Sequence, residues 1–189
     1  MKLKKLYNEL LLERYINLTA EDDKRKYGQL VWDMLQISYK KIGGYKGATS
    51  LDELIKTSHL WKLVRRNGKI VAFSLYKDFK GRKGIGAASD GTDEGKQALY
   101  DLWAEDLKLN RAWTEVSEVV EHIKLKQGFK PIPNKYAAEI LNKEILSLNP
   151  DGIHYTRLIG GVPYEKVIVG KIDGYENIED FKYTKTYTK

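Results

Sequence analysis

The sequence predicts a single α/β domain in which a mixed, mostly antiparallel sheet is flanked by helices. Three observations carry that prediction. Two β-rich runs, Trp61 to Arg66 and Ile70 to Phe79, are separated by Asn67–Gly68, a dipeptide suited to the positive φ angles of a tight hairpin. From there to Phe129, a further strand, an amphipathic helix, a strand and a second helix follow with no spare residues between them. Finally, 189 residues with 42% hydrophobic and 31% charged side chains suit one core, which stays economical of surface up to roughly 250 residues.

Each element has its own signal. Leu3, Leu6, Tyr7, Leu10 and Leu11 are spaced helically, so residues 1–14 read as an N-terminal helical extension, and YINLT follows as a short first strand. Thr19 is placed as an N-cap, with Glu21 and Asp22 at the positive end of the helix dipole. That helix is predicted to run to about Lys41 with Leu30, Val31, Met34, Leu35 and Ile37 as its apolar stripe, and to stop at Gly43–Gly44. Ser50 and Glu53 form a capping box for a short helix in LDELIKTSHL.

Lys80–Gly81 turns the chain into a third antiparallel strand, Lys83 to Ser89. The helix after it presents Ala98, Leu99, Leu102, Trp103 and Leu107 on one face, as a helix covering a sheet must. Arg111 to Ser117 is the next strand, Glu118 to Gln127 a helix ended by Gly128, and KYAAEILNKEIL a further helix. IHYTRLI and YEKVIVGKI form a closing strand pair around Gly160–Gly161–Val162–Pro163, and residues 173–189 read as a tail. The domain proper is therefore set at 15–172.

Composition narrows the chemistry. Absence of cysteine removes disulfides, thiolate nucleophiles and thiolate metal sites. His59, His122 and His154 stand far apart without ligand spacing, so no metal site is predicted. No run of about 18 apolar residues exists, and Glu9, Glu13 and Arg14 interrupt any leader-like stretch, so the chain reads as cytoplasmic with no membrane partner. A formal charge of +7 favours phosphate-bearing partners, but it is spread thinly rather than gathered into a nucleic-acid-binding block.

RNGKIVAFSLY, the hairpin before the third strand of the set, and EHIKLKQGFKPI, a late helix entering a Gly–Phe turn, together with the element order, resemble the GCN5-related N-acetyltransferase family. The likeness covers Tyr15 to Lys171. The segments TEVSEVVEHIKLKQGFKPIPNKYA and DGIHYTRLIGG are also similar to acetyltransferase-like proteins encoded by bacteriophages. The resemblance implies an acyl-CoA N-acyltransferase fold, acetyl-CoA as cofactor, and a small-molecule or protein amine as acceptor. It places the pyrophosphate against the loop Asp90–Lys96, where free amides and a helix dipole converge on an anion, and so nominates Gly91, Thr92, Gly95 and Lys96 as cofactor-binding residues. The family pattern there is Arg or Gln, two residues, Gly, one residue, then Gly or Ala. Thr92, Gly95 and Gln97 occupy the three places, and Asp90, Asp93 and Glu94 add negative charge.

Amine acylation needs a base for the ammonium proton and often an acid for the departing thiolate. Glu115 occupies a strand position where the family sometimes has its base, although alternation alone reads it as a solvent-side residue. Ser117 orients a water or caps the next helix, and capping is the favoured reading. Lys124 stands where the family usually has its acidic tyrosine, leaving Tyr136 and Tyr155 as the alternative phenols and His122 as a further base. The leading reading is acetyl-CoA-dependent transfer of an acyl group to an amine. The alternative is a catalytically degenerate relative that acts as a binding or interaction protein with a macromolecular partner. Nucleic acid is the weakest partner, resting on charge and thirteen tyrosines.

Overall fold

The computed structural model describes residues 15–142 and 144–178. The predicted helix over residues 1–14 and the end of the predicted tail fall outside that range. The chain divides into two compact units, Met1–Asp106 and Leu107–Lys189, each with helices against antiparallel strands. The α/β class with mostly antiparallel pairing is thus as the sequence predicts.

The first unit runs β1 (Tyr15–Leu18), α1 (Glu21–Tyr39), a 3-10 turn (Lys40–Ile42), α2 (Leu51–Thr57), β2 (Leu60–Arg66), β3 (Lys69–Asp78), β4 (Arg82–Ser89) and α3 (Asp93–Asp106). The strands pair antiparallel in the order β1-β2-β3-β4. Register explains the layering. Trp61 faces Leu75, Leu63 faces Phe73 and Phe73 faces Ala88, so these side chains share one face, which packs on Val31, Leu35, Leu54 and Ile55 of α1 and α2. The opposite face carries Lys62, Ser74 and Tyr76, where Lys62 Nζ reaches Glu105 of α3 at 2.7 Å and the Tyr76 hydroxyl donates to Asp106 at 2.8 Å. β3 is covered on both faces, and every residue from Val71 to Tyr76 is buried. Each large apolar side chain buried this way stabilises the unit by about 1.5–3 kcal/mol.

Two local expectations are corrected. Ala20, not Thr19, is the N-cap of α1, and no side chain caps it; Glu21, Asp22 and Asp23 still compensate the dipole. The buried stripe is Lys24, Gly28, Val31 and Leu35, whereas Leu30 and Ile37 are exposed. The stripe is rotated because α2 approaches at Gly28, where a Cβ would stand only 3.3 Å from the Leu51 side chain. Lys24 is tolerated there because its ammonium donates to the Ser58 carbonyl at 2.6 Å and reaches the Ile55 carbonyl at 3.5 Å, satisfying the C-terminal end of α2.

As predicted, Asn67 (φ 49) and Gly68 (φ 76) form the β2–β3 turn. Ser50 accepts from the Glu53 amide at 3.1 Å, but Glu53 answers to Thr49 rather than to Ser50. The β3–β4 register shifts at Leu75/Tyr76, leaving Ile85 as the extra residue of a bulge. Its carbonyl accepts the Tyr45 hydroxyl at 2.9 Å. The Tyr45 ring fills the space that side chains at Gly47 and Gly86 would need.

The second unit runs β5 (Ala112–Val116), α4 (Glu118–Lys126), β6 (Lys130–Pro131), a 3-10 turn (Asn134–Tyr136), α5 (Ala137–Ile140), β7 (Ser147–Leu148), β8 (Tyr155–Ile159) and β9 (Val162–Lys171). β9 pairs with β5 along one edge and with β8 and β6 along the other, and β7 extends beyond β8. α4 ends in a Schellman turn: Phe129 N–H returns to Lys124 at 3.2 Å and Gly128 N–H to Leu125 at 3.0 Å. Gly160 and Gly161, both at positive φ, close the β8–β9 hairpin. The helix predicted over KYAAEILNKEIL is cut to α5, because Asn142 turns left-handed at φ 54 and the chain leaves the helical path.

Candidate functional site

In the first unit, the bulged strand β4 leads through Asp90–Gly91 into α3. Gly91, Thr92, Gly95 and Lys96 are brought together in this one turn. Gly91 has φ 86 and open space beside it, so a ligand has access to the backbone there. Thr92 N–H donates to Asp90 Oδ1 at 3.0 Å, the Thr92 hydroxyl donates to the same oxygen at 2.6 Å, and in turn accepts Gly95 N–H at 3.0 Å. Gly95 is buried, and a side chain there would collide with Asp90 and come within 2.8 Å of the Val71 carbonyl. Lys96 is exposed, its ammonium 3.3 Å from Asp93.

The loop is therefore partly self-capped. Asp90 and Thr92 use the amides of residues 92 and 95, while those of Asp93 and Glu94, in the first turn of the 14-residue helix α3, have no acceptor among the described residues. Arg66 lies 3.5 Å from Glu94, so two cations, Arg66 and Lys96, stand beside these amides, each held by an acid. Amides and cations fit an anionic group; the Asp90 carboxylate opposes it.

In the second unit, Glu115 lies on β5 and Ser117 immediately before α4. Glu115 is not the solvent-side residue that alternation suggests. Its side chain is 11% exposed and accepts from Arg157 Nη1 at 2.7 Å, while Arg157 Nη2 donates to Glu144 at 2.5 Å. Ser117 occupies the N-cap position, yet its hydroxyl makes no capping bond; only its carbonyl is used, by Val120 and Glu121 N–H. Lys124 is buried with its ammonium 4.4 Å from the Phe129 ring. Tyr136 packs edge-on against Tyr175, ring centroids 5.2 Å apart.

Sequence reading missed a second polar cluster. His154 is buried between Asp151, which contacts its Nδ1, and Glu121 of α4, whose Oε2 lies 3.0 Å from its Nε2. Burial alone lowers the His154 pKa, but the two carboxylates outweigh it and the net shift is upward. Asp151 Oδ1 accepts the Ile153 and His154 amides at 3.0 and 2.9 Å; burial raises the Asp151 pKa, but these two bonds together with the His154 ring outweigh it and hold that carboxyl below the usual range. The available signal was Asp151–Gly152, an Asx-turn pair that fixes the backbone before β8.

No protein-family model matches the chain, and no curated protein matches it. Solved structures do. An acetyltransferase from Bacillus subtilis in complex with CoA is 10% identical, with a TM-score of 0.46 over 87% of this chain and 98% of that one. The ribosomal-protein-S18-alanine N-acetyltransferase from Escherichia coli is 14% identical, with a TM-score of 0.42 over 89% of this chain and 99% of that one. A GNAT family acetyltransferase from Elizabethkingia anophelis with acetyl-CoA bound is 14% identical, with a TM-score of 0.39 over 73% of this chain and 87% of that one. Similarity at this level does not assign an activity to the chain.

Proposed function

We propose that the protein is an acyl-CoA-dependent N-acyltransferase acting on an amine. One observation carries this reading: β4 delivers the chain to the N-terminus of α3 with the Asp93 and Glu94 amides unengaged among the described residues and Arg66 and Lys96 alongside. In this reading those amides hold the pyrophosphate and the two cations exchange their acidic partners for it. The carrier supplies an activated acyl thioester. Glu115 accepts the ammonium proton of the acceptor amine once Arg157 releases it, and Ser117 orients the water between them. Glu115→Gln is expected to lower turnover while leaving coenzyme A affinity within about threefold, less than one charge-assisted hydrogen bond contributes.

A second reading is favoured by Asp90, whose carboxylate occupies the turn and already uses the Thr92 amide. On this view the fold serves as a binding protein without transfer. Calorimetric titration with acetyl-CoA and with coenzyme A separates the two. Micromolar binding that tightens in Asp90→Ala supports the transferase. Absence of binding to both proteins at millimolar ligand leaves the binding protein.

A further inference from the structure

The fold gathers lysines that the sequence spreads. Lys40, Lys41 and Lys46 are exposed in the turn after α1, and two tyrosines clamp that turn to β4. The Tyr39 hydroxyl is hydrogen-bonded to the Ala87 backbone, and the Tyr45 hydroxyl donates to the Ile85 carbonyl at 2.9 Å. Their rings meet edge-on, with centroids 5.3 Å apart. Two residues before Ile85, Lys83 stands directly opposite Lys77 of β3, and the hairpin between them carries Lys80. Alternation past the bulge puts Lys77 and Lys83 on the α1–α2 face, where Lys77 approaches Glu53 of α2. From Lys83 to Ala87 the strand rises about 13 Å, so the lysines form a strip rather than a point.

Two choices in this strip work against local folding. Like charges directly opposite on paired strands repel each other, and Lys80 has φ 49, a left-handed conformation that lysine seldom adopts. The acids alongside are already committed. Glu53 accepts from the Thr49 amide and hydroxyl at 2.7 and 2.6 Å, Asp78 stands opposite Arg82, and Arg82 is also held by Asp106 at 3.3 Å. Phe79 steadies the hairpin cations: the Lys80 and Lys83 ammonium groups lie 5.9 and 5.6 Å from its ring centroid.

A small anion reaches one end of such a strip, whereas a chain of anions spans it. Lysine ammonium groups are compact point charges that suit successive phosphates, while planar pairing with carboxylates favours arginine, and the hairpin's own Arg82 is engaged by Asp106. We propose that this strip binds the sugar–phosphate backbone of a nucleic acid without reading its bases. The surface lies wholly within the first unit and does not depend on acyl transfer.

Fluorescence anisotropy over a series of salt concentrations is the test, with a labelled single-stranded DNA of about twelve nucleotides and its duplex as probes. Binding is expected to be saturable and to weaken with salt. For a single strand each neutralised phosphate contributes about −0.7 to the slope of log affinity against log salt, so the double variant Lys77→Gln, Lys83→Gln should make the slope shallower by about 1.4 and weaken binding at least about tenfold at about 0.1 M salt. Its melting midpoint should equal or exceed the parent's, because the repulsion is relieved. The double variant Lys41→Gln, Lys46→Gln, on the exposed turn, should show the same loss and carries the test if the hairpin variant fails to fold. Lys69→Glu removes the same two units of charge about 26 Å back along β3 and should leave affinity within about twofold, since charges beyond a Debye length are screened. Binding of either probe supports the assignment, and the tighter one names the form of nucleic acid. No saturable change with either probe at about 50 mM salt, an equal loss in Lys69→Glu, or equal competition by poly-glutamate overturns the proposal.

Discussion

Replacing His154 by glutamine strands a buried anion. Glu121 has no exposed side-chain surface and His154 only 5%, with Nε2 and Oε2 3.0 Å apart. Removing one member of a buried pair costs about 3–5 kcal/mol, because the remaining charge keeps its desolvation penalty and loses its partner. For a chain of this size each kcal/mol moves the melting midpoint by about 2–4 °C, so the variant should melt roughly 6–20 °C lower near pH 6.

The pH dependence has a definite sign. Because the folded His154 pKa is raised above its ordinary 6.5, its stabilisation is complete below that value and is lost as pH rises through the folded one. Asp151 has a lowered pKa, so its contribution persists above 3.8 and is lost only as pH falls through its depressed folded value. Thermal melts followed by circular dichroism from about pH 5 to 9 should show the parent's midpoint declining on the alkaline side and the glutamine variant flat there. Replacing both His154 and Glu121 by leucine should recover most of the loss. A glutamine variant melting within about 2 °C of the parent near pH 6, less than 1 kcal/mol, would refute the buried-pair reasoning.

Lys24→Met keeps the aliphatic stem but removes the ammonium that caps Ser58 and Ile55, and urea denaturation should report a loss of about 1.5–3 kcal/mol. Gly170→Ala forces a side chain to within 2.8 Å of Trp113 Cβ at φ 150, and overpacking plus backbone strain should cost at least about 3 kcal/mol in the same assay. Asp90→Ala releases the Thr92 amide and hydroxyl, so α3 should lose about 1 kcal/mol at its N-terminus by denaturant titration while coenzyme A affinity rises.

Much of the fold was legible because its signals are local. Asn67–Gly68, Gly128 and Gly160–Gly161 sit at positive φ, where few other residues go, and each ends an element where the sequence places the boundary. The stripe of α1 was misjudged because helical periodicity fixes the spacing of a buried face but not its phase. That phase depended on where α2 touches Gly28 and on carbonyls that accept from Lys24. KYAAEILNKEIL failed for a related reason: composition favours a helix, and a single left-handed Asn142 overrides it.

The candidate site was legible in part. Element order, read through the family resemblance, placed the turn at Asp90–Lys96 but not that Asp90 would take the Thr92 amide and Thr92 the Gly95 amide. Glu115 was singled out, but Arg157, forty-two residues later, becomes its partner only through the β5–β9–β8 registers. Glu121 and His154 meet in the same way, through packing that no spacing rule encodes.

The Tyr45 ring, packed where Gly47 and Gly86 have no side chains and bonded to the bulged Ile85, ties two distant segments, residues 45–47 and 85–86, into one inherited unit. Relatives that keep a large ring at this position should keep both glycines, and those that admit alanine at either one should carry a smaller residue in its place. The bulge in β4 can therefore drift over evolutionary time only by coordinated exchange. Of the features in the first unit, this coupling should leave the clearest trace as covariation when related sequences are compared.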